Sequence, residues 1–154
     1  MKKYILSVFI LSTIYTNAQT LVDTNKVWNV VTCLNFGPCG TTSFHFGLDT
    51  IIVNQTYKKI VVNNYSIPIG FNPIPIAARE DLNTKQIYFH NGNIEYLGYD
   101  FSLAKGETFI TNFGGCSHQM IVDSVDMITL LNGESRKRIL FFGGVTWIEG
   151  IGSL

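Results

Sequence analysis

The chain has 154 residues, of which 46% are hydrophobic, 13% aromatic and only 14% charged, with 11 basic residues against 11 acidic ones. A domain of this size can bury a core without disulfide staples. So even a balance of charge offers no field to attract a nucleic-acid backbone, and nucleic acid is not expected as a partner.

In chain order, the first feature is a leader. Met1-Lys2-Lys3 is a basic start, Tyr4 to Ile14 is an apolar run of eleven, and a polar stretch leads into Asn17-Ala18-Gln19. This is the layout of a secretory signal peptide over residues 1–18, too short to span a bilayer and flanked like an export signal. It leaves residues 19–154 as one secreted β domain. Removing Lys2 and Lys3 leaves nine basic and 11 acidic residues, a net charge of −2. No cysteine stands at the cleavage region, which argues against a lipid anchor. No later apolar run has transmembrane length, so no integral membrane segment is expected after cleavage. The destination is secreted or periplasmic.

Strands are expected wherever β-branched and aromatic residues cluster between turn formers. Val27 to Cys33 is the first and Thr42 to Leu48 the second, with Phe44, Phe46 and Leu48 on one face. Asp49 to Val53 turns through Asn54-Gln55 into Thr56 to Val62. Pro68, Pro73 and Pro75 then mark residues 63–75 as a loop or irregular edge, because proline has no ladder donor. Residues Glu80 to Thr84 read as a turn before Lys85 to His90, and Asn91-Gly92 is a hairpin signal leading to Ile94 to Phe101. Ala104 to Glu107 reverses the chain before Thr108 to Ile110. Gln119 to Leu131, Asn132-Gly133 and Arg136 to Phe142 make a further hairpin, and Val145 to Ile148 closes the set. The total is nine to ten short strands without an amphipathic helix. The expected fold is all-β, a single antiparallel β-sandwich or a partly open β-barrel.

The basic runs Lys58-Lys59 and Arg136-Lys137-Arg138 fall on alternate faces of strands and make no patch. Cys33 and Cys39 flank a Gly37-Pro38 reversal and are the natural disulfide in an oxidising compartment, with Cys116 left as a thiol. Closing that seven-residue ring stabilises by only about 2 kcal/mol. Links from Cys116 to either partner remain open alternatives. Cys116-Ser117-His118 lacks two further ligands for zinc, and no loop alternates acidic residues as calcium requires. No nucleotide, metal or nucleophile motif occurs, so neither metal nor cofactor is expected.

Two sets of side chains carry what chemistry there is. Asp100 and Glu149, each set in aromatic sequence, are the candidate carboxylate pair of a small secreted hydrolase. The competing reading makes them structural, hydrogen-bonding backbone amides or pairing with Arg79. Tyr88, Tyr96, Tyr99 and Trp147 are candidate binding residues that could cover a sugar face, or else core and cross-strand partners.

Arg79-Glu80-Asp81, Tyr99-Asp100-Phe101-Ser102-Leu103, Gly106-Glu107 and above all Trp147-Ile148-Glu149-Gly150-Ile151-Gly152-Ser153 resemble an uncharacterised group of secreted Bacteroidota proteins, especially flavobacterial ones. In that group the module usually precedes a C-terminal sorting domain for type IX secretion, which does not follow Leu154 here, so surface attachment is not expected. The resemblance implies no enzyme activity or cofactor. The expected function is therefore a non-catalytic extracellular or envelope module that binds a glycan or an envelope protein, or serves as a structural part of an assembly. The alternative is the carboxylate-pair hydrolase.

Overall fold

A computed structural model describes residues 20–33, 39–63, 75–113 and 116–154. The leader, the Gly37-Pro38 reversal and the proline-rich stretch through Ile74 lie outside the described residues. Among those described, eleven strands run in order: Val27–Cys33 (β1), Cys39–Ile52 (β2), Gln55–Asn63 (β3), Ala77–Asp81 (β4), Gln86–His90 (β5), Glu95–Asp100 (β6), Thr108–Phe113 (β7), Cys116–Thr129 (β8), Ser135–Phe141 (β9), Thr146–Ile148 (β10) and Gly152–Ser153 (β11). Within each sheet, consecutive strands pair antiparallel, and the chain passes from one sheet to the other between β6 and β7. They form a six-stranded sheet β1-β2-β3-β4-β5-β6 and a five-stranded sheet β11-β10-β9-β8-β7. The fold is thus all-β, two curled antiparallel sheets facing each other as half-barrels.

Three elements differ from the sequence reading. Thr42 to Leu48 and Asp49 to Ile52 belong to one 14-residue strand, β2, which begins at Cys39. The ladder to β3 slips between Phe46 and Asp49 and then resumes, so a bulge absorbs the break in alternation. The β2–β3 turn falls on Val53 and Asn54, both in the left-handed region (φ 48 and 63), which is the twist a two-residue hairpin needs.

The second difference is β4. Ala77-Ala78-Arg79-Glu80-Asp81 contains no β-branched residue, yet it pairs with β5 along its whole length, from Ala77 opposite His90 to Asp81 opposite Gln86. Lys58 and Lys59 of β3 flank it on the other side. The turn accordingly comes later than expected, at residues 82–85. The third is β11, two residues held by Trp147 opposite Ser153 and Ile148 opposite Gly152.

The core lies between the sheets. Ile87, Phe101, Phe109, Val122, Ile139, Phe141 and Trp147 are buried together with Leu21, which precedes the first strand. Trp147 is the hub: its ring meets Phe141 at 4.5 Å, Phe109 at 4.7 Å and Tyr99 at 4.9 Å between centroids. All three contacts are edge-to-face, the geometry the ring quadrupoles favour.

One seam between the sheets is closed by the segment before and within β1. Trp28 Nε1 donates to the Ile151 carbonyl at 2.8 Å, and Lys26 Nζ donates to the Gly150 carbonyl at 2.7 Å. At the other seam, Thr111 on β7 donates its hydroxyl to the Leu97 carbonyl on β6.

Candidate functional site

The strand β6 finishes on Asp100, and β10 leads into Glu149. Asp100 is buried and its oxygens are occupied: Oδ1 accepts from the Ser102 amide at 2.8 Å and from the Ser102 hydroxyl, and Oδ2 accepts from Gln86 Nε2 at 2.7 Å. Glu149 Oε1 accepts from Lys85 Nζ at 3.1 Å.

Lys137 points inward on β9, in register with Ile139 and Phe141. Its ammonium donates to the carbonyls of Phe101 (2.8 Å) and Leu103 (2.7 Å). Burial lowers its pKa, and the Lys85 charge lowers it further, while Glu149 and Asp100 oppose the shift. The two candidate carboxylates therefore cap a turn and balance lysines. Each is tied to local structure that would be disturbed if it took up a proton from a substrate.

Arg79, expected beside Asp100 or Glu149, lies on the outer side of β4. Its Nε and Nη2 donate to the two Glu95 oxygens at 2.6 and 2.9 Å. Its guanidinium stacks 4.0 Å above the Tyr88 ring, and Tyr57 donates to the same Glu95 at 2.5 Å. The bidentate contact holds the Glu95 carboxyl below the usual carboxylate range. Tyr88 is thereby separated from the other three candidate aromatics and belongs to this outer cluster.

Tyr96, Tyr99 and Trp147 do come together. They line one cleft of about 540 Å³ with Pro75, Phe89, Gly98, Phe109, Thr111, Met120, Val145 and Ser153, and with His118 and Gln119. β6 supplies Tyr96 and Tyr99 on the same side because a bulge shifts the β5–β6 register between Ile87 and Tyr88. Without that slip, Tyr99 would lie on the opposite face from Tyr96.

Gly98, between them, makes room for the Phe89 ring. A Cβ at Gly98 would lie 2.2 Å from two of the ring carbons. Gly152, with φ at +106, brings the next amide against Tyr99, and a Cβ there would sit 3.5 Å from the Tyr99 hydroxyl. The backbone of Ser153 opposes the upward shift that burial imposes on the Tyr99 pKa. Burial raises the pKa of Tyr99 and pushes that of Tyr96 up to about 12, with the neighbouring Tyr99 adding a smaller push.

The sequence indicated three of the cleft's aromatic residues but not their companions. Phe89, Gly98, Phe109, Thr111 and Met120 carry no local signal, since a strand residue facing a cleft reads like one facing a core. A second hollow of about 500 Å³ lies along β2, β3 and β4, lined by Thr50, Ile52, Ile60, Val62 and their neighbours. Its wall is mainly aliphatic, with Thr50 and Lys59 among the lining residues, and it holds no aromatic ring among the described residues. Among the described residues, no group of three or more His, Cys, Asp and Glu side chains is placed to hold a metal.

No protein-family model, no curated protein and no solved structure matches the chain.

Proposed function

We propose that the chain is an exported, non-catalytic binding module, secreted or periplasmic, and that the cleft is where it engages its ligand. The observation that carries this reading is the gathering of Tyr96, Tyr99 and Trp147 in one hollow whose volume lies in the range of small-ligand sites. The export leader supports the location. The engagement of Asp100 with Ser102 and Gln86, and of Glu149 Oε1 with Lys85, weighs against the hydrolase alternative, because carboxyls committed to such partners would have to give them up to exchange protons with a substrate.

Kinship with the secreted Bacteroidota group rests on the terminal Trp-Ile-Glu-Gly-Ile-Gly-Ser segment, and the structure supplies reasons for that spelling. Trp147 is the core hub, and Gly150 and Gly152 adopt φ of +75 and +106. The carbonyls of Gly150 and Ile151 receive Lys26 and Trp28.

A Cys33–Cys39 disulfide belongs to the same proposal. Its support is the β1–β2 register, which sets the two residues directly opposite, where Cα atoms lie about 4.5–5.5 Å apart, within disulfide reach. The Cys39 sulfur is also already engaged. Non-reducing peptide mapping of the exported protein is expected to return that link. A fragment joining Cys116 to either residue would replace it.

The functional reading is tested by retrieving ligand with the purified full chain from native envelope extract, alongside a glycan array. Retention of a ligand by the wild type, with loss in a variant of the cleft rim such as Val145→Trp, is the expected result. Equal retention by both would remove the cleft from the function.

A further inference from the structure

Resting on the binding-module reading above, we propose that the cleft takes a small uncharged molecule with a hydrocarbon body and a single hydroxyl-like end, and that it does not take a sugar. Among the described residues, none of those lining it is Asp, Glu, Lys or Arg. A ligand charge drawn between the sheets would find no counter-charge there, and burying an unpaired charge is costly. His118 and Gln119 are exposed and stand at the rim, so the inner wall is aromatic and aliphatic.

The rings also have the wrong arrangement for a pyranose. Sugar recognition by stacking needs a flat, accessible ring face. Here Trp147 is 3% exposed, Phe109 2% and Tyr96 9%. Tyr99 and Phe109 meet Trp147 at 69° and 84°, and Phe89 meets Tyr96 at 41°. The cleft therefore presents ring edges and a recess in place of a plate.

Inside the rim, the polar side chains among the described residues are the hydroxyls of Tyr96, Tyr99, Thr111 and Ser153. The Thr111 hydroxyl hydrogen is directed to Leu97. A hexose carries more hydroxyls than this set can satisfy, and each one left unmatched would be stripped of water without replacement. One hydroxyl, by contrast, has a place: the Thr111 oxygen, whose own hydrogen goes to Leu97, is set to accept from it.

The test uses the full exported chain and N-phenyl-1-naphthylamine, a neutral fluorescent hydrocarbon probe. Saturable enhancement with one probe per chain is expected, reversed by dodecanol and unaffected by maltotriose. Val145→Trp, placed at a partly exposed rim position, should weaken the probe by about tenfold or more, or about 1.4 kcal/mol, with the circular dichroism unchanged. In Trp28→Phe, which leaves Trp147 as the only tryptophan, dodecanol should shift the indole emission.

If maltotriose moves that emission and the hydrocarbon probe does not bind, the ligand class is wrong while the binding-module reading stands. If the probe binds Val145→Trp as tightly as wild type, it sits elsewhere and the inference falls. If a folded protein responds to none of the three compounds, the inference also falls. A blank retrieval from envelope extract would then remove the module reading separately.

Discussion

At the scale of single residues, Gly98 decides the shape of the cleft. Phe89 lies across it, tilted against Tyr96 and edge-on to Tyr99 at centroid distances of 5.9 and 6.0 Å. Gly98→Ala would thrust a methyl into a ring that cannot swing away without displacing a tyrosine. A loss of about 1–3 kcal/mol is expected in urea unfolding, the usual range for overpacking, together with weaker probe binding.

Tyr96 gives a pH signature. Its pKa rises to about 12 on burial, above the ordinary value near 10. Below about pH 10 the phenol is neutral in the folded and the unfolded chain, and its contribution to stability is fully present. Between about 10 and 12 only the unfolded chain loses the proton, so that contribution is lost as pH rises. Urea midpoints should therefore fall across this window, and Tyr96→Phe should flatten the fall. An equal slope in the variant would assign the effect to other groups.

Among the elements, the segment before β1 is the one whose role exceeds its regularity. Leu21 enters the core, and the Val22 amide donates to Glu80 Oε2 at 3.0 Å. Lys26 joins the Thr20 and Gly150 carbonyls. This strap ties the segment before β1 to the exit from β10, so the last strands are held by residues more than a hundred positions away. Leu21→Ala is expected to cost about 2–5 kcal/mol, as core truncations do. Hydrogen exchange should speed up at β10 and β11 before it does at β5 and β6. Uniform acceleration would mean that Leu21 serves the core as a whole and not this seam.

β4 teaches a complementary lesson. Its composition favours other structures, but two neighbouring strands supply its ladder, and two small side chains, Ala77 and Ala78, are almost completely buried. Pairing from both sides overrides a weak local preference.

For the whole molecule, Trp147 is the joint between the half-barrels, touching rings from β6, β7 and β9 as well as Phe101 beyond β6. Trp147→Ala should destabilise by about 3–5 kcal/mol in a denaturant titration, with both sheets melting in one transition. A change near zero would show that the sheets are held chiefly by their seams.

The all-β class and the sequential antiparallel order were legible in the sequence, because period-two alternation and turn residues such as Asn91-Gly92 and Asn132-Gly133 act over a few neighbouring positions. So was the importance of Trp147, a large aromatic residue in an alternating strand. The continuity of β2, the existence of β4 and the pairing of Arg79 with Glu95 depended on cross-strand register, which no local pattern encodes. The division of the aromatics had the same origin. Tyr88 faces outward beneath Arg79 while Tyr96, Tyr99 and Trp147 share a cleft, because one bulge in the β5–β6 ladder chooses which side chains turn inward. Local sequence determines which residues can form strands, whereas the facing of two sheets determines which of their side chains meet.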